Sequence, residues 1–204
     1  MLDSAEYSYY FANKWADILR VKRRNDVNRA KGTFSFHNWI RMAMAQDKPF
    51  DEFAREILAA TGDETSSPPT VWYKELQNPE NFVDDTAQVF LGLRIACAQC
   101  LHHPYEKWSQ DDYWSMAAFF GRVGKKNTPI PGANQQSQLL VVFNKPTGQV
   151  INKRTNQAAP MKPLDAEPMK SDADEDPRHK LVDWMTDPKN PFLDRKSTRL
   201  NSSH

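Results

Sequence analysis

Both cysteines of the chain and two of its five histidines fall within eight residues, Cys97-Ala98-Gln99-Cys100-Leu101-His102-His103-Pro104. A Cys-x-x-Cys pair supports a redox disulfide, half of a thiolate metal site, or two thioether attachment points for haem when His follows the second cysteine. Leu101 occupies that position, so the haem use lacks its axial ligand, while His102 and His103 stand just beyond as candidate ligands. Cys97, Cys100, His102 and His103 also offer a donor set for a metal such as zinc. One tight turn would make them converge, because Pro104 keeps a helix from carrying the histidines away. The plain alternative is a pair of buried thiols with surface histidines.

Other residues with chemical potential are dispersed. A polysaccharide hydrolase needs paired carboxylates across a cleft. The adjacent pairs Asp84-Asp85 and Asp111-Asp112 point to different faces of a helix. Asp111 and Asp112 read instead as first-turn charges that favour a helix N-terminus. His37 stands beside an expected helix start and reads as a surface or capping residue. Trp72, Trp108 and Trp114 suit a cofactor pocket or a core, and aromatics at helical spacing are usually core. There is no glycine-rich phosphate loop, Gly-x-Ser-x-Gly elbow, paired zinc-ribbon motif or internal repeat.

The elements that must position the cysteines are helical. Tyr7, Phe11, Trp15 and Ile18 recur at helical spacing between Ser4 and Val21, giving an aromatic-rich face expected in the core. A second helix is expected over Phe34 to Gln46 with Phe36, Ile40 and Met44 in line. A third has Pro49 in its first turn, buries Phe50, Phe53, Ile57 and Leu58, and ends by Gly62. Thr65 to Thr70 reads as loop. Asn78-Pro79 caps and opens the helix leading to the cysteines, with Phe82, Thr86, Val89, Phe90 and Leu93 as its stripe. Ser109 and Asp112 make a capping-box start for a helix through Tyr113, Met116, Ala117 and Phe120. The Cys/His loop is thus flanked by two helices.

After Gly124 the pattern changes. Residues 139–143 and 149–152, on either side of Lys145-Pro146-Thr147-Gly148, predict a hairpin. Ala158 to Pro177 reads as a linker rich in Pro, Ala and acidic residues, and Asp176-Pro177 opens a last helix with Leu181, Trp184 and Met185 apolar. The expected fold is therefore mainly α, an irregular helical bundle with a small C-terminal β-hairpin and an extended linker.

Residues 194–204 read as the translation of a sequencing adapter, which makes the chain a fragment and sets this tail apart from fold reasoning. The tail holds three of the 27 basic residues and one of the 26 acidic ones, leaving 24 against 25, a charge of about −1. That balance makes no electrostatic case for nucleic acid or an anionic membrane. Lys22-Arg23-Arg24 is a basic run at an expected helix end, where cations complement the carbonyls. No apolar run reaches membrane-spanning length, and Met1-Leu2-Asp3-Ser4 lacks a signal peptide's pattern.

Several blocks together carry a resemblance: Leu2-Asp3-Ser4 with residues 11–17, residues 39–41 with 48–53, residues 86–92, Cys97-Ala98-Gln99-Cys100, and residues 103–113. They resemble the planctomycete-type secreted cytochrome-like module catalogued as domain of unknown function 1549 (DUF1549), over roughly residues 1 to 125. Residues 176–192 are similar to the opening of its usual downstream neighbour, domain of unknown function 1553 (DUF1553). The resemblance implies a module of a large secreted or cell-envelope protein, often with a cytochrome c domain upstream. It also implies haem c at Cys97 and Cys100 and a redox partner or that cytochrome domain as the electron route. Members typically carry Cys-x-x-Cys-His, from which Leu101 departs. The competing reading is a non-catalytic structural or interaction module with a disulfide or a Cys/His zinc site, or part of a polysaccharide-processing system. The implied organisation is a helical module over 1–125, hairpin and linker over 126–175, the start of a further domain over 176–193, and the adapter tail.

Overall fold

The computed structural model describes residues 5–22, 27–102, 107–129, 138–190 and 192. The chain is mainly α with a small β part, and it divides into two compact units. One comprises 1–76 with 124–143, the other 77–123 with 144–204.

In the first unit, α1 (Ala5–Ile18), α2 (Val27–Ala45) and α3 (Phe50–Leu58) bring their apolar faces together around a ring cluster. Phe53 is its centre, with its ring 5.0 Å from Trp15 and 5.2 Å from Trp39. The buried face of α1 is Ala12, Trp15, Ala16 and Leu19, whereas Ile18 is exposed and Tyr7 and Phe11 are half-buried. The expected stripe is thus rotated. Two alanines let α2 approach closely, and a stripe drawn through the largest rings misses small residues. On α2, Phe36, Ile40 and Ala43 are buried and Met44 half-buried. This helix begins well before the expected Phe34, which places His37 in its middle rather than near its start. There its Nε2 meets Asn13 Oδ1 at 2.9 Å.

The stretch after α3 holds β1 (Gly62–Asp63), a 3-10 turn at Pro68–Val71 that begins within the loop expected over Thr65 to Thr70, and the short α4 (Trp72–Glu75). Asp63 folds this stretch back. Its carboxylate accepts from the Thr65 hydroxyl and amide and from the Ser66 amide and hydroxyl, which together hold it far below the usual carboxylate range. Glu64 is wholly buried and paired with Lys74, and a side chain at Gly32 of α2 would clash with its carboxylate. Lys125 Nζ donates to the carbonyls of Tyr73 (3.0 Å) and Leu76 (2.6 Å), a cation at the end of α4 whose burial lowers its pKa.

The three-stranded sheet runs β1-β3-β2, from β2 (Val123–Pro129) and β3 (Gln138–Asn144), with Gly62 opposite Val142 and Asp63 opposite Val141 in the antiparallel β1–β3 pair. The hairpin expected across Lys145–Gly148 does not form. Residues 139–143 pair with β1 and β2, while β4 (Ile151–Asn152) pairs with β5 (Gln157–Ala158) in the other unit. Gly148 serves a close approach instead. A Cβ there would collide with the Gly121 carbonyl, and the Lys145 amide donates to the Arg122 carbonyl at 2.8 Å.

In the second unit α5 (Pro79–Thr86) starts at Asn78, whose side chain accepts from the Asn81 amide at 2.9 Å. It runs into a π-turn, Ala87–Leu91, that Gly92 ends in the left-handed conformation (φ 69°). α6 (Gln110–Ala117) follows the Cys motif and continues into a 3-10 turn over Ala118–Phe120. α7 (Pro177–Thr186) is capped by Asp176, which also binds the buried Arg178 guanidinium. The acidic linker is tied down by Arg122, which donates to the carbonyls of Ser171 (3.2 Å), Asp172 (2.6 Å) and Glu175 (3.2 Å). Residues 194–204 and the Arg23-Arg24 pair lie outside the described residues.

Removing the central ring should be the more costly of two perturbations. Phe53→Ala is expected to destabilise by about 3–5 kcal/mol, and Ser109→Ala, which removes one cap of α6, by about 1 kcal/mol. Chemical denaturation of the two variants measures both, and equal losses would deny the cluster its central place.

Candidate functional site

The Cys motif is built as a short 3-10 turn, Ala96–Gln99, closed by Cys100 in right-handed helical conformation (φ −108°, ψ −28°). Ile95 and Ala98 face the core, and the Ala98 amide donates to the Ile95 carbonyl at 2.8 Å. With these two buried, Cys97 and Cys100 are left outward. Both are free thiols and both are exposed, so they are not the buried structural thiols of the plain reading. In a 3-10 turn, side chains three apart eclipse, and a rise of ~2.0 Å per residue puts such Cα atoms about 6 Å apart. A disulfide spans about 4.4–6.8 Å between Cα atoms. By this geometry the two cysteines, one in the turn and one capping it, have Cα atoms within the span of a disulfide.

α6 supports this turn from behind. The capping box is complete: the Asp112 amide donates to Ser109 Oγ at 3.1 Å and the Ser109 amide donates to Asp112 Oδ2 at 3.0 Å. Starting the helix there aims Gln110 at the Cys turn, where its amide nitrogen donates to the Gln99 carbonyl at 3.2 Å. Tyr113 lies one turn further along the same face, fully buried, its hydroxyl donating to the Glu80 carbonyl of α5 at 3.4 Å. Burial pushes the Tyr113 hydroxyl well above its ordinary value, and the charges of Asp84, Glu80 and Cys100 add to this. Burial also raises the Asp84 carboxyl. Its hydrogen bond to Tyr113 offsets part of that, and Asp85 and Glu80 nearby reinforce it. The Oδ1 atom of Asp84 is buried without a hydrogen-bond partner.

Asp84 and Tyr113 were not among the residues singled out as a pair by spacing. They lie on different helices, and no local pattern joins them. Of the sequence candidates, Cys97 and Cys100 are brought together, His102 is exposed two residues on, and His103 falls outside the described residues. Among the described residues no three His, Cys, Asp or Glu side chains gather as a metal-holding group. Haem c fits these residues poorly, since Leu101, 56 % exposed, carries no ligand atom where an axial donor belongs. Trp72 and Trp114 are core, and Trp108 is buried against Phe192, 5.9 Å between rings. Asp111 and Asp112 are engaged structurally. Asp111 accepts from Arg154 (2.5 Å) and Asn152 (2.7 Å), which lowers its pKa, and Asp112 pairs with Lys162 at 3.3 Å.

A helical module that carries a free dithiol on a braced turn is thus the class that fold and site define. Residues 1–125 match the family described as PSCyt2, protein of unknown function (DUF1549), and the chain belongs to that family. No curated protein and no solved structure matches the chain. No helix among the described residues is long and apolar enough to cross a membrane.

The raised carboxyl of Asp84 sets a pH dependence. A folded pKa above the unfolded one means the folded state holds the proton more tightly, so this group's contribution is present at low pH and lost as pH rises through the raised value. Asp84→Asn is therefore expected to raise Tm near neutral pH and to lose that advantage below the ordinary carboxylate range. Thermal melts of both proteins across acid and neutral pH check this, and an advantage that grew on acidification would contradict it.

Proposed function

We propose that the chain is a thiol redox module whose working group is the Cys97–Cys100 dithiol, cycling with its disulfide. The observation that supports this is a pair of exposed, free thiols at a short 3-10 turn whose residues Ile95 and Ala98 are buried. In exchange with a partner disulfide, one thiolate attacks and displaces a partner thiolate, and a mixed disulfide forms. The second cysteine then attacks the first, releasing the other partner thiolate and closing the ring. Two electrons pass from this chain to the partner, and the reverse sequence reduces it again. The partner class is a protein or small-molecule disulfide in an oxidising compartment, which suits the secreted or envelope setting that the family resemblance implies.

Magnitude separates this role from that of a structural staple. Chain entropy assigns a four-residue loop about 2 kcal/mol of stabilisation, against about 4.7 kcal/mol for a loop of 100 residues. A cross-link of so short a reach contributes less than half of what a long-loop staple would.

Equilibration of the full chain with glutathione redox buffers, read by mass after acid quenching and alkylation, tests the reading. The expected result is reversible closure of one disulfide, absent in Cys97→Ser and in Cys100→Ser, with Tm moving by about 4–8 °C at most between the two states. Thiols that stay reduced throughout, or an oxidised form that cannot be reopened without unfolding, would overturn it. Leu101→His, a surface change expected to cost under about 0.5 kcal/mol, should remain colourless when expressed with a haem-attachment system. A covalent haem spectrum from that variant would favour the cytochrome reading instead.

A further inference from the structure

We propose that a cleft in the second unit, walled by Leu164, Trp184 and Phe192, binds an uncharged pyranose ring. The site lies in a different part of the unit from the dithiol, and its assignment does not depend on the redox reading. The cleft encloses about 160 Å³. A cavity of about 150 Å³ holds one benzene ring, so this space takes a single six-membered ring. Its wall is apolar. Leu164 and Phe192 are buried and Trp184 is half-buried, with the Trp184 and Phe192 ring centroids 6.1 Å apart and their planes tilted by 49°.

The exposed lining residues, Asp165, Asp187 and Lys189, form a charged mouth. Lys107 pairs with Asp165 Oδ2, which makes the balance two cations against two carboxylates. Asp187 Oδ1 accepts from the Lys189 amide at 2.8 Å. Among the described residues, the second oxygen of each carboxylate has no partner and is open to a hydroxyl donor. Asn190, itself buried, ties wall and mouth together. Its Nδ2 donates to the Trp184 carbonyl at 2.8 Å, its Oδ1 accepts from the Phe192 amide at 2.9 Å, and its own amide donates to the Asp187 carbonyl at 2.7 Å. The cleft therefore has its shape before a ligand arrives, which spares binding much of the cost of ordering the site.

The chemistry of wall and mouth selects the class of ligand. A hydrocarbon ring would fill the wall but take water from Asp165, Asp187 and Lys189 without replacing its hydrogen bonds. An ionic ligand would meet a like charge as well as an opposite one, because the mouth is balanced. A ring with C–H bonds on its faces and hydroxyls around its edge meets both demands. Its faces lie against the aromatic side chains, whose π-faces are negative and attract polarised C–H groups. Its hydroxyls donate to the free carboxylate oxygens and accept from the Lys189 ammonium. That ring is a neutral pyranose, and the role assigned to the cleft is binding alone.

The test uses the methyl pyranosides of glucose, galactose and mannose with the full chain, read by saturation-transfer NMR and titration calorimetry. Benzyl alcohol, benzylammonium and benzoate serve as rings of similar size and different charge. At least one pyranoside is expected to bind with a Kd on the order of 1 mM, the range that about a dozen non-hydrogen atoms reach at ordinary ligand efficiency. The three benzyl probes should bind more weakly. Trp184→Ala should weaken the pyranoside about tenfold through the lost ring contact. The double variant Asp165→Ala with Lys189→Ala changes only exposed side chains, leaves the wall in place, and should weaken it by a similar factor, so it decides the matter should Trp184→Ala fail to fold. A pyranoside bound equally well by the double variant or by folded Trp184→Ala would place the sugar elsewhere and overturn the assignment. So would the absence of any pyranoside signal at tens of millimolar, or a benzyl probe that binds more tightly than every pyranoside.

Discussion

The reciprocal bonds between Ser109 and Asp112 determine which residue of α6 faces which neighbour, and the second unit is arranged around that choice. Successive helical residues are about 100° apart around the axis, so starting α6 one residue early or late would turn Gln110 off the Gln99 carbonyl and Tyr113 off the Glu80 carbonyl. The same two turns carry Asp111 to Arg154 and Asn152 and Asp112 to Lys162. The cap's own stabilisation is small, about 1 kcal/mol. Its larger effect is selective, because every long-range contact of this helix is correct in only one register.

Charge follows the same plan. Lys153 with Glu80, Arg154 with Asp111, Lys162 with Asp112 and Lys107 with Asp165 join the segment after residue 144 to the helices before it. Each is at least partly exposed, and such pairs contribute between about 0 and 1 kcal/mol. They register the segment more than they hold it. Asp84 differs from these carboxylates in that burial, reinforced by the like charges of Asp85 and Glu80, governs its protonation. The contrast between Asp111, lowered by Arg154, and Asp84, raised by burial, arises within two helices of one unit.

Features coded by neighbours in the chain were legible in the sequence. The caps Asn78, Ser109 and Asp176 stand where side-chain chemistry predicts, and of the expected stripe Phe82, Thr86, Val89 and Phe90 are buried, while Leu93, past the Gly92 turn, is half-buried. What escaped depends on partners far away in sequence. The α1 stripe was drawn through large rings, but helix packing selected Ala12 and Ala16. Residues 139–143 look like half of a hairpin until β1, two residues long and more than seventy positions earlier, turns out to pair with them. Asp84 and Tyr113 were each visible, one as an adjacent carboxylate pair and the other as a core position. Nothing local told that α5 and α6 would bring them into contact. The cysteines were legible as a motif, while their exposure depends on Ile95 and Ala98 turning inward.

The kind of turn that holds a Cys-x-x-Cys pair constrains what the pair can do. In an α-helix residues three apart are offset by about 60° around the axis, whereas a 3-10 turn lays them one above the other. A pair set three apart in such a turn is closer to the geometry of a bond between the two than to one splayed around a larger ligand. A four-residue loop also changes the stability of the fold by only about 2 kcal/mol when it opens or closes. Ile95, Ala98 and the Gln110–Gln99 bond hold the turn. The backbone at the motif is thus held by packing and a hydrogen bond from α6, contacts that do not involve the sulfurs.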